Sequence, residues 1–327
     1  MIRVPSAPPT VKPVPAGTER PTWSVMIPVY NCSQFLVDTL ESVLMQEIPE
    51  QEMQIEVVDD ASTDTDVEAL VKQIGKGRVS YYRQAQNVGS LRNFETCINR
   101  ARGKIVHLLH GDDKVRKGYY SAMEKLLHQY PEAGAAFCRY QPIDAEDKTL
   151  PGIKAPERDT PGLLNNWLLR ISERQRIQYA AIAVRREVYE KLGAFYGLFY
   201  AEDWEMWVRI ARHYPVAYTP EILAEYRKHT TSISGVKHQT GQYLVDIAQA
   251  IELIQTHLPP AKRKSQRKKA RMYYAHYGII MANRIWRATH NKEVVKTNLR
   301  EALKLNQNIK IWYAAVKVHL KMLLNIG

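Results

Sequence analysis

The chain of 327 residues is 45% hydrophobic and 24% charged, longer than the roughly 100–200 residues of one domain and with ample material for a core. No stretch reaches the run of about 18 apolar residues that would cross a bilayer, and Cys32, Cys97 and Cys138 are too few and too scattered for a disulfide framework or a zinc site. The net charge of +12 is unevenly placed: residues 260–327 hold 16 Lys+Arg against Glu293 and Glu301, whereas residues 1–259 are close to neutral.

Residues 1–22 are rich in proline and lack the apolar centre of a signal peptide. They are expected to form a disordered or extended leader. Residues 23–29 then predict a first strand, and 33–46, with Leu36, Leu40, Val43 and Leu44 at helical spacing, a first helix. Strands follow at 54–59, 78–83, 104–109 and 133–139, with helices at 66–74, 91–101 and 117–129 and Gly103 as a helix stop. Four prolines between 141 and 165 suggest a long loop. Residues 182–186 predict a strand leading into a helix at 187–192, 203–213 a helix, and 220–226 a short strand or turn. From 242 the pattern is helical, with a break at Leu258-Pro259-Pro260. Alternating strands and helices at short spacing imply an α/β fold with a mostly parallel sheet and helices on both faces. The division expected is a leader at 1–22, an α/β domain at 23–240 and a basic helical module at 241–327.

Two apolar runs end in paired acids: Val57-Val58-Asp59-Asp60, and His107-Leu108-Leu109 followed by His110-Gly111-Asp112-Asp113. No core accepts paired carboxylates, so they belong on loops at the carboxyl edge of the sheet, where open α/β sheets bind ligands. Adjacent carboxylates there suit a divalent cation, and a cation suits a phosphate-bearing ligand. The turn after the first strand, Pro28-Val29-Tyr30-Asn31-Cys32-Ser33, has no glycine. That excludes both a dinucleotide-binding fingerprint and a P-loop.

Further sequence runs tie these acids together. They are Ser24 to Asn31, Leu40 to Gln46, and Val57-Val58-Asp59-Asp60-Ala61-Ser62-Thr63-Asp64; then Asn87-Val88-Gly89 with Arg92-Asn93, Ala101-Arg102-Gly103 and Gly111-Asp112-Asp113; then Glu202-Asp203-Trp204-Glu205-Met206-Trp207 and Tyr226-Arg227-Lys228-His229. In this order, over about residues 23–232, the set resembles the family 2 glycosyltransferases. The resemblance implies a GT-A fold and inverting transfer of a sugar from a nucleotide diphosphate to a hydroxyl of a glycan or lipid-linked acceptor.

It also implies roles. Pro28 and Tyr30 would line the nucleotide pocket, with Tyr30 either facing the base or merely standing at the rim. Asp60 would accept from the base N3–H, which favours UDP or dTDP, unless it serves as a helix cap. Asp112 and Asp113 would hold Mn2+ or Mg2+, with Asp113 the more direct ligand and Asp112 also near the nucleotide. His110 stands where many relatives carry another aspartate, which thins the set of hard ligands. Asp203 would be the catalytic base, with Glu202 its local competitor. Trp204 would stack on an acceptor sugar or, with Trp207, belong to the core. Arg227 and His229 would reach the diphosphate, with Arg92 a weaker candidate.

The basic tail has a chemistry of its own. On a helix over 310–324, Lys310, Lys317 and Lys321 fall on one stripe, and Ile311, Trp312, Ala315, Val316, Met322 and Leu323 on the far side. Such a helix, with the bases at 262–271, fits an anionic membrane surface, unless it packs on the preceding domain. No nucleic-acid reader motif accompanies the charge. The expectation is a cytoplasmic enzyme, peripheral to the membrane; the alternative is a non-catalytic nucleotide-sugar-binding or scaffold subunit recruited through the tail. A nucleotidyltransferase is disfavoured, because its glycine-rich, arginine-containing first loop is missing.

Overall fold

The computed structural model describes residues 3–326. They divide into two units that are not sequential: one holds the chain through Trp167 with Ile177–Gly197 and His213–Lys228, the other Leu168–Arg176, Leu198–Arg212 and the chain from His229. The helix bearing Asp203 therefore belongs with the C-terminal helices. The sequence reading, which draws its boundary at 240, assigns that helix to the first domain. Alternating hydrophobicity marks elements, but it does not say which core a returning segment joins.

In chain order the elements are β1 (Trp23–Val29), α1 (Ser33–Leu44), β2 (Met53–Asp59), α2 (Val67–Gly75), β3 (Ser80–Arg83), α3 (Ser90–Arg100), β4 (Ile105–Leu108), β5 (Lys114–Val115), α4 (Tyr119–Gln129), β6 (Ala135–Ile143), β7 (Gly162–Leu163), α5 (Trp167–Ile171), β8 (Ile182–Arg185), α6 (Arg186–Leu192), α7 (Glu202–His213) and β9 (Val216–Arg227). The sheet runs β3-β2-β1-β4-β8-β6-β9-β5, with β7 on β9. Its first four strands are parallel. The β1 and β2 strands are buried at every position, as parallel strands covered on both faces must be. Beyond β4 the largely parallel sheet becomes mixed. There β8 runs antiparallel to both β4 and β6, and β5 and β7 run antiparallel to β9, leaving β6–β9 as the parallel pair of that half.

Local chemistry sets the element ends. The Asp64 carboxylate accepts from Ser33 N at the start of α1 (3.0 Å), and Asp66 caps α2 by accepting from Ala69 N (3.0 Å). Gly103 is not the stop of α3, which closes at Ala101. Instead it lies where a Cβ would fall 2.5 Å from Ser24 N, so it lets the chain cross β1 at close range. The β9 strand is far longer than the segment expected at 220–226, because Pro220 sits in a register break opposite β6 and costs no ladder bond. The leader does not hang free. Ala194 N donates to Pro9 O (2.9 Å), Gly197 N to Pro5 O (2.8 Å) and an Arg186 Nη to Lys12 O (2.9 Å), while Val11 is buried. Prolines keep this segment extended, and carbonyl acceptors are all they need to offer.

The second unit adds α8 (Ile233–Thr240), α9 (Tyr243–Ile254), α10 (Pro260–Thr289), α11 (Lys292–Leu305) and α12 (Ile309–Leu323). The long α10 starts on Pro260 at its first turn and buries Tyr274, Ala275, Gly278, Ile279, Ala282 and Trp286. At Gly278 a Cβ would lie 2.8 Å from Leu244 and 3.0 Å from Ala302, so glycine is what admits α9 and α11 at that range. The last helix, α12, buries Ile311, Ala315, Val318 and Met322. The apolar side read from the sequence thus splits in two. Ile311, Ala315 and Met322 pack inward, whereas Trp312, Val316 and Leu323 join Ile309, Tyr313 and Leu320 on an exposed face.

Candidate active site

Because β2, β1 and β4 run parallel, with Val29 opposite Asp59 and Met26 opposite Leu108, their carboxyl ends reach one edge of the sheet together. The ladder runs on past the strands: Asp60 N donates to Val29 O (2.8 Å), Leu109 N to Met26 O (3.0 Å) and Gly111 N to Pro28 O (3.3 Å). Tyr30, Asp60 and the His110–Asp113 turn are thereby delivered side by side. Pro28 is buried beneath them, and Tyr30 is 51% exposed at the rim.

The two acids after β2 have separate tasks. Asp59 is fully buried; it accepts from Ser62 N (2.9 Å) and the Tyr81 hydroxyl (2.7 Å) and pairs with Arg83, which locks the loop. Asp60 accepts from Val88 N (2.7 Å), Gly89 N (2.9 Å) and the Asn87 amide (3.0 Å). It thus binds the Asn87-Val88-Gly89 loop to the sheet edge. Burial raises its carboxyl above the usual range, against the Val88 and Gly89 N–H groups and the Arg3 charge. A carboxylate has about four lone-pair sites, so room remains for one further donor. Asn93 is structural: buried in α3, it donates to Val58 O (2.8 Å). Arg92, in the first turn of α3, pairs with Glu95 (2.7 Å).

In the acidic turn, one ligand atom each from His110, Asp112 and Asp113 lies within 4.8 Å of the others. The His110 ring packs in a cluster with Tyr179 (4.2 Å, tilted) and Phe94 (5.1 Å, stacked), which also touch each other. Its Nε2 is buried without a hydrogen-bond partner among the described residues. Burial holds this imidazole below its usual range, against the Asp112 charge, so the ring is neutral and keeps a lone pair. A neutral imidazole beside two carboxylates is a donor set that fits Mn2+ well and Mg2+ less well. Sequence reasoning set His110 aside as a departure from the pattern; the signal that marked it was that same departure. Gly111 has no room for a side chain, since a Cβ would meet Val29 Cγ2 at 2.9 Å and Cys32 Sγ at 3.1 Å. Gly111→Ala is expected to displace this turn and to weaken cation-dependent nucleotide binding more than it lowers the melting temperature, which titration calorimetry and a thermal melt would separate.

Arg227, at the end of β9, meets this turn from behind. It is 1% exposed. Its N–H donates to Asp113 Oδ1 (2.9 Å), its Nε to Asp112 O (2.9 Å), one Nη pairs with Asp147 (2.7 Å), and the other pairs with Asp38 (3.2 Å). The guanidinium carbon lies 4.7 Å over the Phe35 ring. A guanidinium committed at all three nitrogens is a strut for the acidic turn, and the expectation that it reads the diphosphate does not match this placement. Asp113, 2% exposed and bound to Arg227 N, is the inner carboxylate; Asp112 is the more open one. Burial and the Asp112 charge push the Asp113 carboxyl well up, opposed by the Arg227 N–H and guanidinium.

In the second unit Asp203 stands in the first turn of α7, just after Ala201, a non-glycine residue at φ 68°. Strain of that kind gathers at functional sites. The Asp203 carboxylate accepts from Trp204 N (2.6 Å) and from the Gln175 side-chain amide; Gln175 N in turn donates to the Tyr274 hydroxyl (3.0 Å). Glu205 is spoken for, buried between His257 (2.7 Å) and Arg209 (3.0 Å). Glu202 is half-buried beside Asp203. Trp204 corrects the expectation of a sugar platform: it is fully buried, its indole N–H donates to Ile171 O (2.7 Å) and its ring packs 5.2 Å from Tyr274. His229, the first residue of the last segment of the second unit, has Nδ1 2.8 Å from the Thr231 hydroxyl.

The sheet order, the acid-bearing carboxyl edge and the mixed second half are those of a GT-A fold. The family model for glycosyl transferase family 2 matches residues 24–193, and the chain belongs to that family. An uncharacterized glycosyltransferase of Rickettsia typhi is 24% identical over 215 residues, a match covering 65% of this chain and 66% of that protein. Among solved structures, Staphylococcus aureus TarS bound to UDP-GlcNAc aligns with a TM-score of 0.61 at 14% identity, covering 94% of this chain and 82% of that one. A mannosyltransferase of Pyrobaculum calidifontis bound to GDP-Man and Mn2+ aligns at 0.58 and 19% identity, covering 99% and 91%.

Proposed function

We propose that this glycosyltransferase moves a sugar, with inversion, from a UDP- or dTDP-linked donor to a hydroxyl of a glycan or lipid-linked acceptor. The observation that carries it is the convergence of Tyr30, Asp60 and the His110–Asp112–Asp113 cluster at the ends of three parallel strands. In this reading Tyr30 and Pro28 shape the base pocket, and Asp60 accepts from the base while holding its loop. Asp112, Asp113 and His110 hold a divalent cation. When bound, such a cation supplies positive charge to the diphosphate oxygens. Arg92 and His229 are left as the side chains to approach the diphosphate, with Arg227 fixing the acidic turn.

Asp203 removes the proton from the acceptor hydroxyl as that oxygen attacks the anomeric carbon. The bond to the diphosphate breaks with its electron pair leaving on the phosphate oxygen, so one displacement inverts the configuration. Glu202 lies beside it on the acceptor side. Supplying UDP-, dTDP- and GDP-sugars with lipid-linked and glycan acceptors, and reading nucleoside diphosphate release with the product's anomeric configuration by NMR, tests the reaction. A product of retained configuration would rule out Asp203 as sole base.

No helix among the described residues is long and apolar enough to cross a membrane. The outer face of α12 supports a peripheral site instead: Ile309 (81% exposed), Tyr313 (62%) and Leu323 (64%) lie along it with Trp312, Val316 and Leu320. Lys310, Lys317 and Lys321 follow one flank, which is the arrangement of a helix lying in an anionic interface. Leu320→Glu is expected to abolish co-sedimentation with phosphatidylglycerol vesicles at unchanged melting temperature; retained sedimentation would remove α12 from the interface.

A further inference from the structure

Resting on that transferase reading, we propose a second anion site in the helical unit, a cleft that takes a phosphate group carried by the acceptor. The cleft has a volume of about 630 Å3 and lies among the 173–176 segment, α10 and the start of α12. Five bases line it, Arg174, Arg176, Lys269, His276 and Lys310, against one acid, Glu173. Glu173 is consumed by Lys269 (2.7 Å) and Arg176 (3.8 Å). Arg174 is held by stacking alone, its guanidinium carbon 5.0 Å over the Tyr273 ring, and its Nε is buried with no partner among the described residues. Neither Arg174 nor Lys310 makes an ion pair among the described residues that would neutralise it.

These features select a chemistry. A planar arginine fork held against an aromatic ring, with a lysine lining the same cleft, suits phosphate, since arginine pairs with phosphate in two parallel hydrogen bonds. Met272, Tyr273 and Ile311 supply an apolar wall for the carbon skeleton that bears the phosphate. The ligand class is therefore a phosphate ester on an acceptor, either a polyol-phosphate chain or a lipid-linked phosphate.

The cleft is tied to the proposed base through the chain itself. Gln175, between the two lining arginines, donates its side-chain amide to Asp203 and its N–H to Tyr274, and Tyr274 neighbours the lining Tyr273 on α10. A phosphate drawing Arg174 and Arg176 into the cleft would fix Gln175 between them, and with it the Asp203 carboxylate. The site thus favours acceptors that carry phosphate at a distance from the reacting hydroxyl.

The test uses the full chain and two probes: a synthetic glycerol phosphate oligomer, and vesicles of phosphatidylcholine doped with a polyprenyl phosphate. Binding of each is measured by calorimetry or sedimentation for wild type, Arg174→Ala and Lys310→Ala, the vesicle arm with Leu320→Glu in all three so that the outer face of α12 does not hold the bilayer, and with neutral dextran as control. Both variants are expected to bind at least one phosphate probe about tenfold more weakly, with melting temperature and nucleotide binding at the sheet edge unchanged. The probe that responds identifies the source of the phosphate. Unchanged binding in both variants, equal binding of dextran, or no binding of either probe by wild type overturns the site. Loss of nucleotide binding by wild type with the cleft intact would instead count against the transferase reading alone.

Discussion

Asp203→Asn is expected to lower the rate of sugar transfer by about 10²–10⁴, the usual worth of a positioned general base, while leaving nucleotide binding untouched. The substitution is nearly isosteric. An asparagine oxygen can accept from only one of the two donors that Asp203 now serves, Trp204 N or the Gln175 amide, so a modest fall in melting temperature accompanies the substitution while the side chain's shape is kept. What is lost is the ability to take a proton. Glu202→Gln, one residue away, is expected to change the rate only a few-fold, because in this account it lies beside the base without taking the proton. Steady-state rates for the two variants, with nucleotide affinity measured alongside, separate the roles. A larger loss at Glu202 than at Asp203 would reassign the base.

The second large effect is structural. Arg227→Met keeps the length and the contact with Phe35 but removes the charge that sits among Asp38, Asp147 and the carbonyl of Asp112. Asp38 and Asp147 are partly exposed and can recover water; buried Asp113 keeps its hydrogen bond from the residue-227 N–H but loses the opposing charge. Breaking a buried charge arrangement from one side costs about 3–5 kcal/mol, and the exposed partners place this case at about 3 kcal/mol. Arg227→Lys is no rescue, because a single ammonium cannot span three directions. Denaturant unfolding and Mn2+ titration are both expected to register the loss. A variant that unfolds like wild type would mean that the acidic turn holds itself.

Much of this site is legible in the amino-acid order alone. The β1 strand is bounded as its burial dictates, and the acids after β2 and β4 announce themselves because each ends an apolar run that admits no charge. The strands that follow β4 are harder to see. The β5 strand is two residues long, and Pro220 disguises β9, since nothing in the sequence shows that a register break will shelter it. Paired tryptophans at 204 and 207 carry the same spacing whether they face a sugar or a core; only packing against Tyr274 decides. Arg227 reads as a free base in the sequence because its partners, Asp38, Asp112, Asp113 and Asp147, are scattered over more than a hundred residues. Gln175 carries no signal at all. A glutamine in a turn is unremarkable until its amide is found on the base.

The most direct measurement is calorimetric binding of UDP, dTDP, GDP and CMP, each with and without Mn2+, to wild type and Asp112→Asn. The account predicts cation-dependent binding of UDP or dTDP that is lost in the variant, since Asp112 is the open carboxylate of the cluster. Absence of binding by every nucleotide, with the chain folded, would contradict it and favour a non-catalytic role.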